Sequence, residues 1–275
     1  MPGYDLRQLH QKLVDILVEF DRVCNEHNLR YSISFGTLIG AVRHKGFIPW
    51  DDDLDLMMPR PDYERLIANC REWLPSHLEF VCAENDSSYP LPFGKIQDAT
   101  TTLIERPHLY YLGGCYIDIF PIDAYPDNSF LRRRQCFEYE FLKQTLYLIH
   151  RDPYKHGRGP SSWIPLLARK LFTMEGVQKR LRKVMTRYDF NTCNLAGSYT
   201  SGYRKVMPKE VFVNYIPYEF EGHTVMGFRD ADRNLSTIYG SDYMTPPPPE
   251  KREQHNFYLL LFDKPYREFT EEDPN

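Results

Sequence analysis

The run from Trp50 to Met58, WDDDLDLMM, sets Asp51, Asp52, Asp53 and Asp55 at the entrance to an apolar stretch. In an extended chain alternate side chains share a face, so Asp53 and Asp55 project together while Leu54 and Leu56 turn into a core. Two carboxylates about 7 Å apart along one face repel each other unless a cation lies between them. An all-oxygen site suits a hard divalent ion, so Mg²⁺ or Mn²⁺ is the expected cofactor. A solvated acid cluster or a calcium loop is the ordinary alternative. Counted as an EF-hand from Asp51, however, the turn glycine is replaced by Leu56 and the closing glutamate by Asp62. The Leu-Met-Met run continues a strand instead.

The residues upstream add anion chemistry. Tyr31 to Phe35 reads as a short buried strand, broken by Gly36 and Thr37, with Thr37 placed to cap a helix to about residue 44. A strand, a small-residue turn and a helix N-terminus make a phosphate site. Arg43 and Lys45 follow, just before the acids. Together these residues describe metal-assisted phosphoryl or nucleotidyl transfer. Farther on, Asp118 stands inside the apolar run from Cys115 to Phe120, where an ionised carboxylate is costly without a cation or a donor. A metal ligand and a hydrogen-bonded buried aspartate are both consistent with that position. Asp123, at odd spacing and beyond a strand break expected at Pro121, is set off the Asp118 face.

At residues 34–58, SFGTLIGAVRHKGFIPWDDDLDLMM, the chain closely resembles the LicD family of phosphocholine transferases, which includes the fukutin-type ribitol-phosphate transferases. The segment YGSDYMTPPPPEKR at 239–252 is similar to that family's closing motif. The resemblance spans about residues 10–256 and is weakest over 125–200. It implies a nucleotidyltransferase fold whose Gly-Ser/Thr turn is Gly36 and Thr37, whose Asp-x-Asp strand carries Asp53 and Asp55, and whose third acid is Asp118. It implies metal ligation by these three acids, with Asp118 also drawing the proton from the acceptor hydroxyl. Arg43 and Lys45 are the implied diphosphate contacts.

Weaker candidates surround this set. Lys95, on an expected strand near the acids, can lay its stem on the sheet and its ammonium on a phosphate, as an ordinary snorkelling lysine also would. His255 follows a proline-directed segment that can carry it to the site, though a lone histidine is commonly structural. Trp50, Phe47, Tyr239 and Tyr243 are candidates to stack a base or cage a quaternary ammonium, core packing being the default for each. Arg106 and His108 read as surface residues.

Expected elements are helices over 5–28, 37–44, 62–73, 129–149, 161–188 and 230–239, and strands over 31–35, 53–58, 78–82, 93–98, 101–104 and 116–120, with a β unit around 218–225. The fold class is therefore α+β, a mixed sheet flanked by helices with a helical insertion and a C-terminal extension. A single domain over 1–275 is expected, with the sheet core at about 29–124, helices at about 128–190 and a C-terminal segment at about 205–275. A net charge of −4 argues against a nucleic-acid partner. The six cysteines show neither a Cys-x-x-Cys pair nor histidine spacing, so neither zinc nor disulfides are expected. No apolar run reaches the roughly 20 residues that cross a bilayer, and no signal segment is evident.

The resemblance thus implies transfer of a phospho-substituted small alcohol, foremost phosphocholine, from a CDP-activated donor to a sugar hydroxyl of a cell-surface glycan or its lipid-linked precursor. CMP is the leaving product. An NTP-dependent nucleotidyltransferase and a non-catalytic metal or nucleotide binder are the alternatives. The expected location is cytoplasmic with transient contact at the inner membrane face, through the basic stretch Lys179 to Lys183 and the nearby Arg169 and Lys170.

Overall fold

The computed structural model describes residues 4–270 apart from 107, 109, 110, 156, 253 and 256. Helix α1 (Leu6–His27) opens on Asp5, whose carboxylate accepts from the Arg7 N–H. It buries Leu9, Leu13, Ile16, Leu17, Phe20, Val23 and Cys24 at three- and four-residue spacing, and ends where Asn28 turns left-handed. Then follow β1 (Ser32–Ile33), α2 (Phe35–His44), β2 (Asp55–Pro59), α3 (Arg60–Trp73), β3 (Leu78–Val81), β4 (Gly94–Ile104) and β5 (Gly113–Tyr125). Helices α4 (Ser129–His150), α5 (Pro160–Leu171) and α6 (Met174–Met185) form the helical region. The chain closes with β6 (Leu195–Gly197), β7 (Met207–Pro208), α7 (Glu210–Val213), β8 (Tyr215–Phe220), β9 (His223–Phe228), α8 (Ala231–Tyr239) and β10 (Leu259–Leu261).

The sheet runs β10-β4-β5-β2-β1-β9-β8, with β3 also on β4 and β6 on the far end of β5. It is mixed: β5 lies parallel to β2 and antiparallel to β4. This is the α+β architecture that the sequence predicts. Tyr31, Ile33, Leu54, Leu56 and Met58 join α1 in one core, and α4 and α6 build a second around Tyr139, Leu142, Leu146, Val177 and Leu181. The cysteines are all free, and all but Cys193 are buried. No helix among the described residues is long and apolar enough to cross a membrane.

Three expected boundaries are corrected. The two strands expected over 93–104 are a single strand with a register shift between Asp98 and Leu103. The helix expected over 161–188 is two, because Thr173 stops α5 and caps α6 by accepting from the Gly176 N–H. Pro121 does not break β5. Strand β4 ends opposite Ile119 and β6 begins opposite Asp123, so Pro121 is paired on the β2 side alone and its missing N–H falls on a locally open edge.

Asp123 does lie off the Asp118 face, and the reason is structural. Arg60, the first residue of α3, grips it with Nε and Nη2 at 2.6 and 2.8 Å, both partners buried. A bidentate buried pair leaves a bare charge when one side is removed, which costs on the order of 3–5 kcal/mol. Arg60→Met is expected to lose about that much unfolding free energy in denaturant titration. Adding Asp123→Leu should restore most of it; a double variant as unstable as the single one would assign the loss to packing instead.

Candidate active site

Strand register assembles the site. Asp55 on β2 lies opposite Asp118 on β5, and Asp118 lies opposite Lys95 on β4, giving a row of acid, acid and base across adjacent strands. The buried Lys95 places its Nζ 3.6 Å from Asp118 Oδ1 and 3.7 Å from Glu105 Oε2, and 3.1 Å from the centre of the Tyr116 ring. Asp118 Oδ1 is buried with no hydrogen-bond partner. As the alternation predicts, Leu54 and Leu56 are buried while Asp53 and Asp55 keep some exposure, although Asp53 precedes the strand proper.

The carboxylates are crowded beyond what one lysine can balance. Burial, the negative charge of Asp53 and Glu105, and the opposing pull of Lys95 leave Asp118 at about 6. Burial and then Asp53, Asp118 and Asp51 hold Asp55 well above the ordinary carboxylate range. Asp51 is pushed up to about 8 by burial and by Asp53 and Asp52. Among the described residues, no three acid, imidazole or thiol groups already converge as a preformed metal cage. The donor chemistry nonetheless fits a hard divalent ion: the carboxyl oxygens are sheltered and so crowded that their ionised forms are disfavoured without a cation, and Asp118 Oδ1 has no hydrogen-bond partner.

The Gly36-Thr37 segment is not a turn before a helix, as the sequence predicts, but the first turn of α2 itself, with Ser34 at the cap position. Phe35 there is left-handed at φ 49°. At Gly36 a Cβ would stand 2.7 Å from Asp51 Oδ2, so the glycine leaves room for that carboxyl where it lies. Thr37 Oγ1 accepts from the Asp55 N–H at 2.8 Å, and the Ser34 N–H donates to Asp55 O at 2.9 Å, so the helix start and the acid strand are locked together. Asp51 is thus a site residue that the sequence reading left out, and its only signal was membership of the acid run.

Other candidates separate. Arg43 lies within reach of Asp51's charge and donates to Met244 O at 3.3 Å, which ties the family's closing segment to α2. Lys45 is not brought to the acids: it terminates α2, is 70% exposed and pairs with Glu219 at 2.9 Å. Tyr239 faces the charges of Asp55, Asp53 and Asp51. Phe47 is core, stacked on His10 at 3.9 Å, Trp50 lies under Arg252 at 4.0 Å, and Tyr243 donates to Asp232. Arg106 is a surface residue as expected, paired to Glu105 at 3.5 Å.

A cavity of about 260 Å³ opens beside Asp118 and Lys95, walled by Tyr89, Phe93, Tyr111, Tyr116 and Tyr147, with Glu105 and His255 at its sides. Tyr89 meets Tyr111 edge-on at 5.6 Å, and its hydroxyl is buried without a partner. This aromatic wall comes from β5, α4 and two loops, so no local pattern announces it.

His255 does reach the site. Its N–H and Nδ1 both meet Asp52 at 3.0 Å, Asp53 Oδ2 lies 3.9 Å away, and Tyr4 also donates to Asp52. The hydrogen bond to Asp52 outweighs burial and raises the imidazole to about 9. Because the folded value exceeds the ordinary 6.5, the clamp contributes fully below that pH and fades as pH climbs through about 9. With the imidazole 34% exposed, screening reduces the contribution to about 1–2 kcal/mol. The expected result, in denaturant titrations with chelator present, is that the stability gap between wild type and His255→Gln is constant near pH 6 and closes towards pH 9. A gap that is flat or widening across that range would break the assignment.

Residues 28–148 match the family model described as LicD/FKTN/FKRP, nucleotidyltransferase domain. Over 268 residues the chain is 29% identical to the lipopolysaccharide cholinephosphotransferase LicD of Haemophilus influenzae, covering 94% of this chain and all of that protein. An uncharacterized protein of Rickettsia prowazekii is 42% identical over 50 residues, 18% of this chain and 19% of its own. The matched 28–148 region holds α2, the acid strand, Lys95, Asp118 and all five residues of the aromatic wall, so the likeness to a LicD-type nucleotidyltransferase domain falls on the site itself.

Proposed function

We propose that the chain transfers phosphocholine from CDP-choline to a sugar hydroxyl of a cell-surface glycan, with lipopolysaccharide as the acceptor class and CMP as the leaving product. The observation that carries this reading is the adjacency of the Lys95-Asp118-Asp55 row to a tyrosine-walled cavity. The full-length likeness to a lipopolysaccharide cholinephosphotransferase supports the phosphocholine group and the lipopolysaccharide acceptor. The cavity suits the trimethylammonium end, since aromatic faces attract a cation that carries no donor and Glu105 adds a carboxylate. The row beside it suits the phosphate.

Asp53, Asp55 and Asp118 would hold Mg²⁺ or Mn²⁺, which when bound neutralises the diphosphate and the departing CMP. Asp118, near 6 and with an oxygen that makes no hydrogen bond, would take the proton of the attacking hydroxyl. Lys95 stabilises the carboxylate before that transfer and faces the phosphate after it. The first turn of α2 and Arg43 supply N–H groups and positive charge to the diphosphate. His255, cationic at neutral pH, lies alongside Asp53 as a further phosphate contact. Action at the cytoplasmic membrane face belongs to the same reading, because the acceptors are built on lipid.

The deciding assay offers CDP-choline, CDP-ribitol, CDP-glycerol and NTPs with Mg²⁺ and measures CMP and pyrophosphate. CMP from CDP-choline in the presence of acceptor is expected. Pyrophosphate from an NTP would instead show a nucleotidyltransferase, and metal binding without any turnover a binding protein. Asp53→Asn and Asp55→Asn should each lower the rate by several orders of magnitude while the melting temperature holds or rises, because a repelling charge is removed. Tyr111→Leu should raise KM for CDP-choline by about 2- to 30-fold and leave that for CDP-glycerol unchanged, as loss of one cation–π face predicts. An equal effect on both donors would remove the ammonium from this cavity.

A further inference from the structure

Helix α5 is inside out for a helix in water. Its buried residues are the small Ser162, Pro165 and Ala168, whereas Trp163, Ile164, Leu167 and Leu171 are 68, 63, 55 and 64% exposed. At about 100° per residue these four large side chains fall within one sector of the helix. The orientation is fixed by more than the small face, because Arg169 reaches across to donate to Ile149 O and Arg151 O at the C-terminal end of α4. Helix α4 extends the apolar surface: Phe130, Phe137 and Phe141, at spacings that share a face, are 72, 75 and 51% exposed. Phe141 meets Phe172, just beyond α5, at 6.5 Å.

Charge identifies what covers this face. From residue 153 to 174 there is no Asp or Glu, in a chain that has 38 of them, while Lys155, Arg158, Arg169 and Lys170 lie in the same stretch. An apolar helix face with a tryptophan and only basic charges in its own segment is the pattern of a helix lying in a membrane interface, and the acids beside the α4 phenylalanines, Glu138 and Glu140, are paired with Arg187 and Lys143. Twelve residues make α5 about 18 Å long, too short to cross a hydrocarbon core of about 30 Å. A second copy docking about a two-fold axis would bring the same cations face to face. The basic stretch expected to make membrane contact is partly engaged elsewhere: Lys179 pairs with Glu175, and Arg182 with Glu64 and Glu84.

We propose that the exposed faces of α5 and α4 are a membrane-docking surface that lays α5 in the plane of an anionic bilayer. This is independent of the assigned reaction. Because Tyr147 on α4 also lines the cavity beside Asp118, docking would bring the site close to the bilayer surface.

The test is co-sedimentation of the full chain with vesicles of phosphatidylcholine alone and of phosphatidylcholine mixed with phosphatidylglycerol, at low and high salt. Binding is expected with the anionic vesicles and should weaken with salt. The triple variant Trp163→Ser, Ile164→Ser, Leu167→Ser should reduce partitioning at least about tenfold with an unchanged melting temperature. Arg158→Gln with Lys170→Gln should remove the preference for phosphatidylglycerol, and Lys179→Gln with Lys183→Gln should leave binding intact. The proposal is overturned by no binding to anionic vesicles at low salt, by unaltered binding of the triple variant, or by a lipid-free dimer that the triple variant disperses.

Discussion

Two carboxylates set side by side on parallel strands, with one lysine beside them, are the constraint around which this molecule is arranged. Asp55 and Asp118 are held opposite each other by backbone pairing, so their repulsion must be met by a proton, a cation or the neighbouring lysine rather than by separating the strands. The same strand shows what a fully compensated acid looks like. Asp123, on the other face of β5, takes two hydrogen bonds from a buried guanidinium, whereas the buried Oδ1 of Asp118 has no hydrogen bond and only the Lys95 ammonium at 3.6 Å.

The remaining parts of the site brace that arrangement from distant sequence. Helix α2 is bound to the acid strand through Thr37, and Gly36 gives room for the Asp51 carboxyl. From the opposite end of the chain, His255 and its backbone N–H close on Asp52, so neighbouring acids of one run take different parts. Asp52 fastens the C-terminal segment, Asp51 sits over the start of α2, and Asp53 and Asp55 face the open side. An acid cluster that would be costly alone is thereby held together by a helix start and a returning strap.

The helical region has two faces with different tasks. Tyr139, Leu142 and Leu146 of α4 make a core with α6, and Tyr147 next to them lines the cavity beside Asp118. The remaining surface, with α5 turned outward, leaves large apolar groups facing solvent that a helix packed for water alone would bury.

Local pattern carries local facts. The alternation in the run from Asp53 to Met58 determines which acids project together and which leucines enter the core, because side-chain direction along a strand depends on spacing alone. The same holds for the amphipathic α1, the α+β class, and the setting of Asp118 within an apolar strand, which left its role open between metal ligand and hydrogen-bonded core aspartate. What the sequence could not decide are the relations between strands. The register that opposes Lys95 to Asp118 and Asp118 to Asp55, the escape of Lys45 to Glu219, the tolerance of Pro121 and the joining of Asp52 to His255 all depend on partners far along the chain. The tyrosine wall gathers residues from 89 to 147, each of which reads as ordinary core in isolation. Tertiary structure decided these because pairing and packing act between segments whose separation in sequence leaves no periodic trace in either one.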